Sequence, residues 1–266
     1  MTTWFITGTS TGFGRIMAET LIARGDRVAA TARDLRSIEG LAAWKAVLDV
    51  RDLTAVRSVV DRAFAELGRI DVIVSNAGYG LMGAAEEATD QQMLDVITTN
   101  LLGSMQVVRA ALPHLRAQGG GHIIQLSTVG GQAAFPGGSM YHAGKWGIEG
   151  FMDAVAQEVA SFGIGVTIVE PGGARTDFRH RSAVLAAGNS AYDATPIANV
   201  RRIMTDRTQQ AIGDPVKMVD KMIACVGTKQ RRLVLGSDAY KAMHAQLTAR
   251  LAEVEAQRES AGETDY

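Results

Sequence analysis

The sequence predicts an α/β fold, a doubly wound parallel sheet of seven strands with helices on both faces. Three observations point to it. Seven short apolar runs recur along the 266 residues, and most are continuously apolar rather than alternating, as expected of strands covered on both faces. Longer runs with apolar residues at helical spacing lie between them, and repeated strand–helix–strand units require right-handed crossovers in a parallel sheet. No linker, repeat or low-complexity stretch divides the chain, so residues 1–266 read as one domain.

The candidate strands are Thr3–Thr7, Arg27–Ala32, 45–48, 71–75, 122–126, 165–169 and Arg232–Leu235. A helix over 12–24 places Ile16, Ala18, Leu21 and Ile22 near one face. A second, Leu53–Leu67, follows Asp52 as N-cap and buries Val56, Val59, Val60 and Phe64. Long helices are expected over 90–116, with Pro113 late in it, and over 139–162. Two regions break the rhythm. Residues 173–213 are polar and irregular, which marks a functional segment, here a substrate lid. Residues 239–266 read as a charged, exposed helix with a frayed tail, either solvated surface or a contact for a partner subunit.

Composition narrows the function classes. Hydrophobic residues make up 47% and charged ones 21%, enough for a sizeable core. A formal net charge of -1 gives no electrostatic reason for a nucleic-acid partner or an anionic membrane surface. The single cysteine, Cys225, lies in an apolar stretch and reads as a small core residue; no structural metal or disulfide is expected. Neither a signal peptide nor an apolar run long enough for a membrane helix is expected, so the default is a soluble cytoplasmic protein.

The first strand ends in Thr7-Gly8-Thr9-Ser10-Thr11-Gly12-Phe13-Gly14, where a helix begins. Glycines there let the backbone turn tightly and approach a pyrophosphate, while the helix N-terminus offers N–H donors and positive potential. The end of the second strand reports on the ribose: a free 2′-hydroxyl calls for a carboxylate and a 2′-phosphate for an arginine. Ala32 stands where the carboxylate is expected and Arg33 follows, which favours NADP(H). NAD(H) stays open, since Arg33 also fits an ordinary surface arginine. Asp34 could reach a ribose, but an N-cap for a short helix over 35–41 explains it more simply.

Tyr141 and Lys145 share a helix face at i and i+4, and Ser127 ends the preceding strand 14 residues before Tyr141. An ammonium nearby favours the phenolate of a tyrosine, whose unperturbed pKa is about 10, and Ser127 can hold the reacting oxygen. The ordered set of glycine loop, Ser75-Asn76-Ala77-Gly78, Asn100, Ser127, Tyr141, Lys145 and Pro171-Gly172 resembles the single-domain branch of the short-chain dehydrogenase/reductase family, over residues 3–236.

That resemblance implies a single-domain Rossmann fold and an alcohol dehydrogenase or ketone reductase using NADP(H), working as a homodimer or homotetramer on a small molecule. It implies Tyr141 as general acid/base, Lys145 as the group that lowers its pKa and binds the nicotinamide ribose, Ser127 as orienter, and Asn100 as main-chain holder of a water. Gly8, Ser10, Thr11, Gly12, Phe13 and Gly14 would take the pyrophosphate. Asp49 and Val50 would take the adenine, Asn76, Ala77 and Gly78 would line the cofactor, and Pro171, Gly172 and Thr176 would frame the nicotinamide. Two departures stand out: Ser75 where the family has Asn, weakening a loop hydrogen bond, and Gly144 where it has Ser, which costs about 1 kcal/mol in a helix unless a close backbone approach compensates. His142, His114 and His122 are given no role. The stretches 127–131, 135–136, 148–150 and 170–172 resemble the branch of 17β-hydroxysteroid and retinol dehydrogenases, implying a ketone or secondary alcohol on an apolar skeleton. Candidate pocket residues are Gly131, Gln132, Phe135, Phe178 and Tyr192, with plain packing as the alternative for the last two. A sugar-nucleotide epimerase or dehydratase and a non-enzymatic NADP(H)-binding sensor are the competing readings.

Overall fold

The computed structural model describes residues 1–206, 208 and 210–266. Its elements run β1 (Thr3–Thr7), α1 (Gly12–Ala23), β2 (Arg27–Ala32), β3 (Trp44–Val47), α2 (Leu53–Leu67), β4 (Val72–Ser75), β5 (Gly80–Met82), α3 (Asp90–Ile97), α4 (Ser104–Ala117), β6 (Gly121–Leu126), α5 (Ser139–Glu158), β7 (Ile164–Pro171), β8 (Ala183–Leu185), α6 (Pro196–Thr205), α7 (Pro215–Ala224), β9 (Arg232–Leu235), α8 (Ser237–Glu255) and α9 (Arg258–Gly262). Seven strands form one sheet in the order β3-β2-β1-β4-β6-β7-β9, every neighbouring pair parallel.

Alternation along each strand explains why the runs are continuously apolar. Phe5, Ile73, Ile123, Val166 and Ile168 point to one face and pack with α2, α4 and α5. Trp4, Ile6, Val72, Val74, Ile124 and Val169 point to the other, where Met17, Leu21, Val219 and Met222 of α1 and α7 cover them. Fully burying one such side chain contributes about 1.5–3 kcal/mol.

The structure differs from the expected elements in three places. The helix over 90–116 is α3 and α4 joined by a π-helical segment, Thr98–Gly103, which adds residues to the turn. Gly103 sits tight against Val50 there; a Cβ on it would lie 2.7 Å from the Val50 carbonyl oxygen. The region 173–213 is more ordered than its polarity implies. It holds a π-helical turn at Phe178–Ser182, then β8 pairing with β5, a short turn at Ser190–Tyr192, and α6. Residues 207 and 209, within that range, lie outside the described residues. The helix start was written in the sequence: Thr195 accepts a hydrogen bond from the Ile197 N–H at 3.2 Å, and Pro196 takes the first helical position. Asp214 and Pro215 begin α7 the same way. The tail is anchored to the body, since Arg250 of α8 lies 4.0 Å over the Trp146 ring and donates to the Gln132 carbonyl.

His122 on β6 is buried. The Thr167 hydroxyl donates to the Gln230 carbonyl at 2.6 Å, so it accepts from His122 Nε2 at 3.0 Å; Nδ1 then accepts from the Gly227 N–H at 3.4 Å. A proton on Nδ1 would face another donor. Burial pushes the imidazole pKa down to about 4, below its ordinary value of about 6.5. The unfolded chain therefore takes up the proton first, and stability is lost as pH falls from about 6.5 towards about 4, by on the order of 3 kcal/mol. Glu170, pushed up to about 7, works in the opposite sense over the same range. The comparison with His122→Gln isolates the histidine: between pH 7 and 4 the variant should gain on the native chain in urea denaturation. A gap that stays constant with pH would refute the assignment.

Candidate active site

The carboxyl ends of the central strands open into one cavity of about 1090 Å³. At its floor is the glycine loop. Gly8 and Gly12 have φ of +73° and +59°, conformations that suit glycine, and Gly12 has open space above its Cα. Thr11 places no side chain on the first turn of α1, leaving those N–H groups for an anion. Gly8, Ser10, Thr11, Gly12 and Phe13 line the cavity. Gly14 does not; it packs under Gly8 and Asn76, and any Cβ there would strike the Gly8 carbonyl. Asn76 fixes the loop by donating from Nδ2 to the Thr7 carbonyl at 2.8 Å and the Gly8 carbonyl at 3.1 Å.

Ala32 and Arg33 line the next part of the wall, with Asp49, Val50 and Arg51 beside them. Asp34 does not line it. Its carboxylate caps the short Leu35–Ile38 turn and takes the Arg36 guanidinium at 2.8 Å, which holds its pKa below the usual carboxylate range. Asp49 is held low in the same way by Arg51. At the end of β2 the wall therefore presents the Arg33 side chain, while the carboxylates of Asp34 and Asp49 are each paired with an arginine.

At the other end α5 presents Tyr141 and Lys145, with the Lys145 ammonium 6.0 Å from the Tyr141 ring centre. Lys145 donates to the Leu126 carbonyl at 2.8 Å. Burial pushes its pKa down to about 8 while Glu149 pulls upward. Burial also pushes Tyr141 up to about 12, against a hydrogen bond with the Thr128 side chain. Burial thus dominates the Tyr141 phenol, which is a neutral acid in the chain alone.

Ser127 was expected to hold the reacting oxygen. Its hydroxyl instead donates to the buried Glu149 carboxylate, while the Thr128 side chain meets Tyr141. Successive side chains of an extended backbone face opposite ways, so one of the two adjacent hydroxyls had to turn inward. Sequence reasoning named Ser127, not Thr128, and used Glu149 only as part of the 148–150 resemblance, with no role in the site. Asn100 is fully buried in the π-helical segment, its amide paired with both the N–H and the carbonyl of Tyr79 at 3.0 and 2.7 Å. Its side chain is thereby committed, which leaves only its main chain for other partners. Gly144 allows that approach: a Cβ on it would lie 3.3 Å from the Asn100 Cβ.

Asn76, Ala77, Gly78, Pro171, Gly172 and Thr176 line the cavity between these ends. Of the candidate substrate residues, Phe135 and Phe178 line it too, and the Phe178 ring stands 6.3 Å from that of Tyr141. Gly131, Gln132 and Tyr192 do not. Gly131 is closed off beneath Glu149, the Gln132 amide donates to Glu149, and the Tyr192 hydroxyl is engaged with Glu86. His142 is structural, with Nδ1 2.8 Å from the Gly130 carbonyl and Nε2 accepting from the Phe135 N–H at 3.2 Å. Among the described residues no group of three or more His, Cys, Asp or Glu is placed to hold a metal, and no helix is long and apolar enough to cross a membrane.

Comparison with known proteins agrees with this geometry. Residues 2–184 match the family model described as short chain dehydrogenase. Oxidoreductase BOA17 of Botryotinia fuckeliana is 37% identical over 245 residues, covering 89% of each chain. The 3-ketodihydrosphingosine reductase of Bacteroides thetaiotaomicron is 38% identical over 173 residues, 65% of this chain and 64% of that one. The solved structure of a short-chain dehydrogenase from Streptomyces avermitilis superposes with a TM-score of 0.91 at 34% identity, covering 100% of this chain and 98% of the other. By family match, by relatives and by fold, the chain belongs to the short-chain dehydrogenase family of oxidoreductases.

Proposed function

We propose that the chain is an NADP(H)-dependent ketone reductase or alcohol dehydrogenase acting on an apolar substrate. One observation carries the reading: a neutral, buried tyrosine with a hydroxyl partner and an ammionium neighbour stands at one end of a cavity whose other end offers Arg33 and no free β2 carboxylate. The bound cofactor would supply or accept the hydride. Tyr141 holds its proton at neutral pH and gives it to the oxygen of the reduced carbonyl. Thr128, rather than Ser127, orients that oxygen through its own hydroxyl. Lys145 binds the ribose and offsets the charge left on Tyr141, and Asn100 contributes its main chain. The apolar end is supplied by Leu81, Met82, Phe135, Phe178 and Val184. A relative named for reducing a 3-keto compound supports the substrate class. Residues 173–213 act as the lid, and the enzyme works in the cytoplasm as a homodimer or homotetramer, oligomers being common in its family.

The decisive experiment is a panel of apolar ketones with NADPH and NADH, following cofactor oxidation. Turnover of at least one ketone, faster with NADPH, is expected. NADPH binding without turnover of any would replace this reading with a nucleotide sensor.

A further inference from the structure

Beside the catalytic residues lies a buried cluster of charges that the proposed reaction does not use. Glu149 stands one turn after Lys145 on α5 and is 2% exposed. Its Oε1 accepts the Ser127 hydroxyl; its Oε2 accepts the Gln132 amide and the Arg232 guanidinium. Arg232 of β9 also donates to Glu170 of β7 and to Asp153 of α5. Glu170 is fully buried, and its Oε2 meets no donor. A proton on Glu170 shared with Glu149 resolves both, and burial with the neighbouring Glu149 charge pushes Glu170 up to about 7. The loop after β6 is folded onto this cluster. Gly131 is the residue that admits the Glu149 carboxylate, for any Cβ there would collide with it.

We infer that Glu149 is a positioning residue for the reaction: its buried carboxylate fixes the Thr128 loop to α5 and supplies the counter-charge for the Lys145 ammonium. The inference rests on the roles given above to Tyr141 and Lys145. Geometry makes Glu149 the natural counter-charge. Around Lys145, α5 contributes Tyr141 and Glu149, β6 the Leu126 carbonyl and then Ser127, the π-helical segment Asn100, and the loop after β4 Gly78, whose Cβ would lie 3.7 Å from the ammonium. Glu149 is the one carboxylate among them. The groups facing Glu149 itself are Glu170, Arg232 and Asp153, with Arg250 of α8 arriving through Gln132. A buried ion cluster is weak evidence of stability, because apolar residues of similar volume often serve as well. Its use here is to link the loop that carries Thr128 to the helix that carries Tyr141 and Lys145.

The test reads Lys145 directly. Competitive acetylation of the cofactor-free chain across pH, followed by peptide mass spectrometry, gives the titration of Lys145 against exposed Lys241 as internal reference. Glu149→Gln should move the Lys145 midpoint to lower pH by about one unit, from about 8 towards about 7, a roughly fivefold rise in the deprotonated, reactive fraction at pH 7. Glu149→Asp should restore the midpoint. Glu170→Gln also takes a partner from Arg232 but keeps the Glu149 charge, and should leave the midpoint in place. If Glu149→Gln does not fold with Arg232 short of a partner, Glu149→Gln/Arg232→Gln is compared with Arg232→Gln alone, and the same downward shift is expected. In parallel, the weakening of NADPH binding at high pH, followed by fluorescence, should begin about one unit earlier in Glu149→Gln. An unmoved midpoint in the folded Glu149 variant, or equal shifts in the Glu149 and Glu170 variants, overturns the inference. Because the label is read without cofactor or turnover, failure of every ketone in the panel would sink the reaction and leave this result to be judged separately.

Discussion

Tyr141→Phe should lower turnover of any accepted ketone by about a thousandfold while NADPH still binds, since general acid–base catalysis contributes about 10²–10⁴ in rate. The argument rests on where the proton sits. Tyr141 is buried, and its phenol stays protonated to about 12. In the reductive direction it therefore enters the reaction already in the acid form. Phe keeps the ring that packs beside Phe178 but has no proton to give, and the stability lost with the Thr128 hydrogen bond is only about 1 kcal/mol. Loss of turnover with intact NADPH binding and a melting temperature lowered by only about 2–4 °C separates chemistry from folding. Retained turnover would mean that another group, or water, delivers the proton. The opposite direction, alcohol oxidation, requires the phenolate; with burial opposing that state, it should gain from higher pH more than reduction does.

The fold was legible because its signals are local and repeated. All seven strands of the main sheet were placed within a residue or two, since continuous apolar runs such as those at 4–6 in β1 and 72–74 in β4 have few other uses. The break at Thr98–Gly103 was not legible: π-helical turns carry no composition of their own, and Val50, against which Gly103 packs tightly, lies about fifty residues away in the chain. β5 and β8 are three residues each, too short for a period to show. In the site, residue types and order brought out Tyr141, Lys145 and Asn100. They named Ser127 and gave no sign that its hydroxyl donates to Glu149, which approaches from α5. Glu149, Glu170 and Arg232 are scattered over 83 residues and become a cluster only when β7, β9 and α5 come together. Gly131 was read as pocket for the same reason: without the fold, nothing tells an open glycine from one that makes room for a carboxylate.

Arg33→Ala should weaken NADPH about ten- to a hundredfold and leave NADH nearly unchanged, because a charge-assisted hydrogen bond contributes about 1.5–3 kcal/mol and 1.4 kcal/mol is a factor of ten. The local chemistry makes the prediction specific. Arg33 is exposed on the cavity wall next to Ala32, so a phosphate there meets a guanidinium and no carboxylate. Asp34, the one acid that could serve a free 2′-hydroxyl, is spent on the Leu35–Ile38 turn and on Arg36. Asp49, further along the wall, is committed to Arg51 at 2.7 Å. An exposed charge is also a screened one, so the preference for NADPH should narrow as salt rises and the Debye length falls from about 10 Å at 0.1 M to about 3 Å at 1 M. The complementary change, Ala32→Asp in the Arg33→Ala background, should turn the preference towards NADH by supplying the missing acceptor. Dissociation constants for both cofactors, measured on the same three proteins, decide the matter. Equal weakening of NADPH and NADH by Arg33→Ala would place the guanidinium on a part the two cofactors share, and the 2′-phosphate assignment would fall.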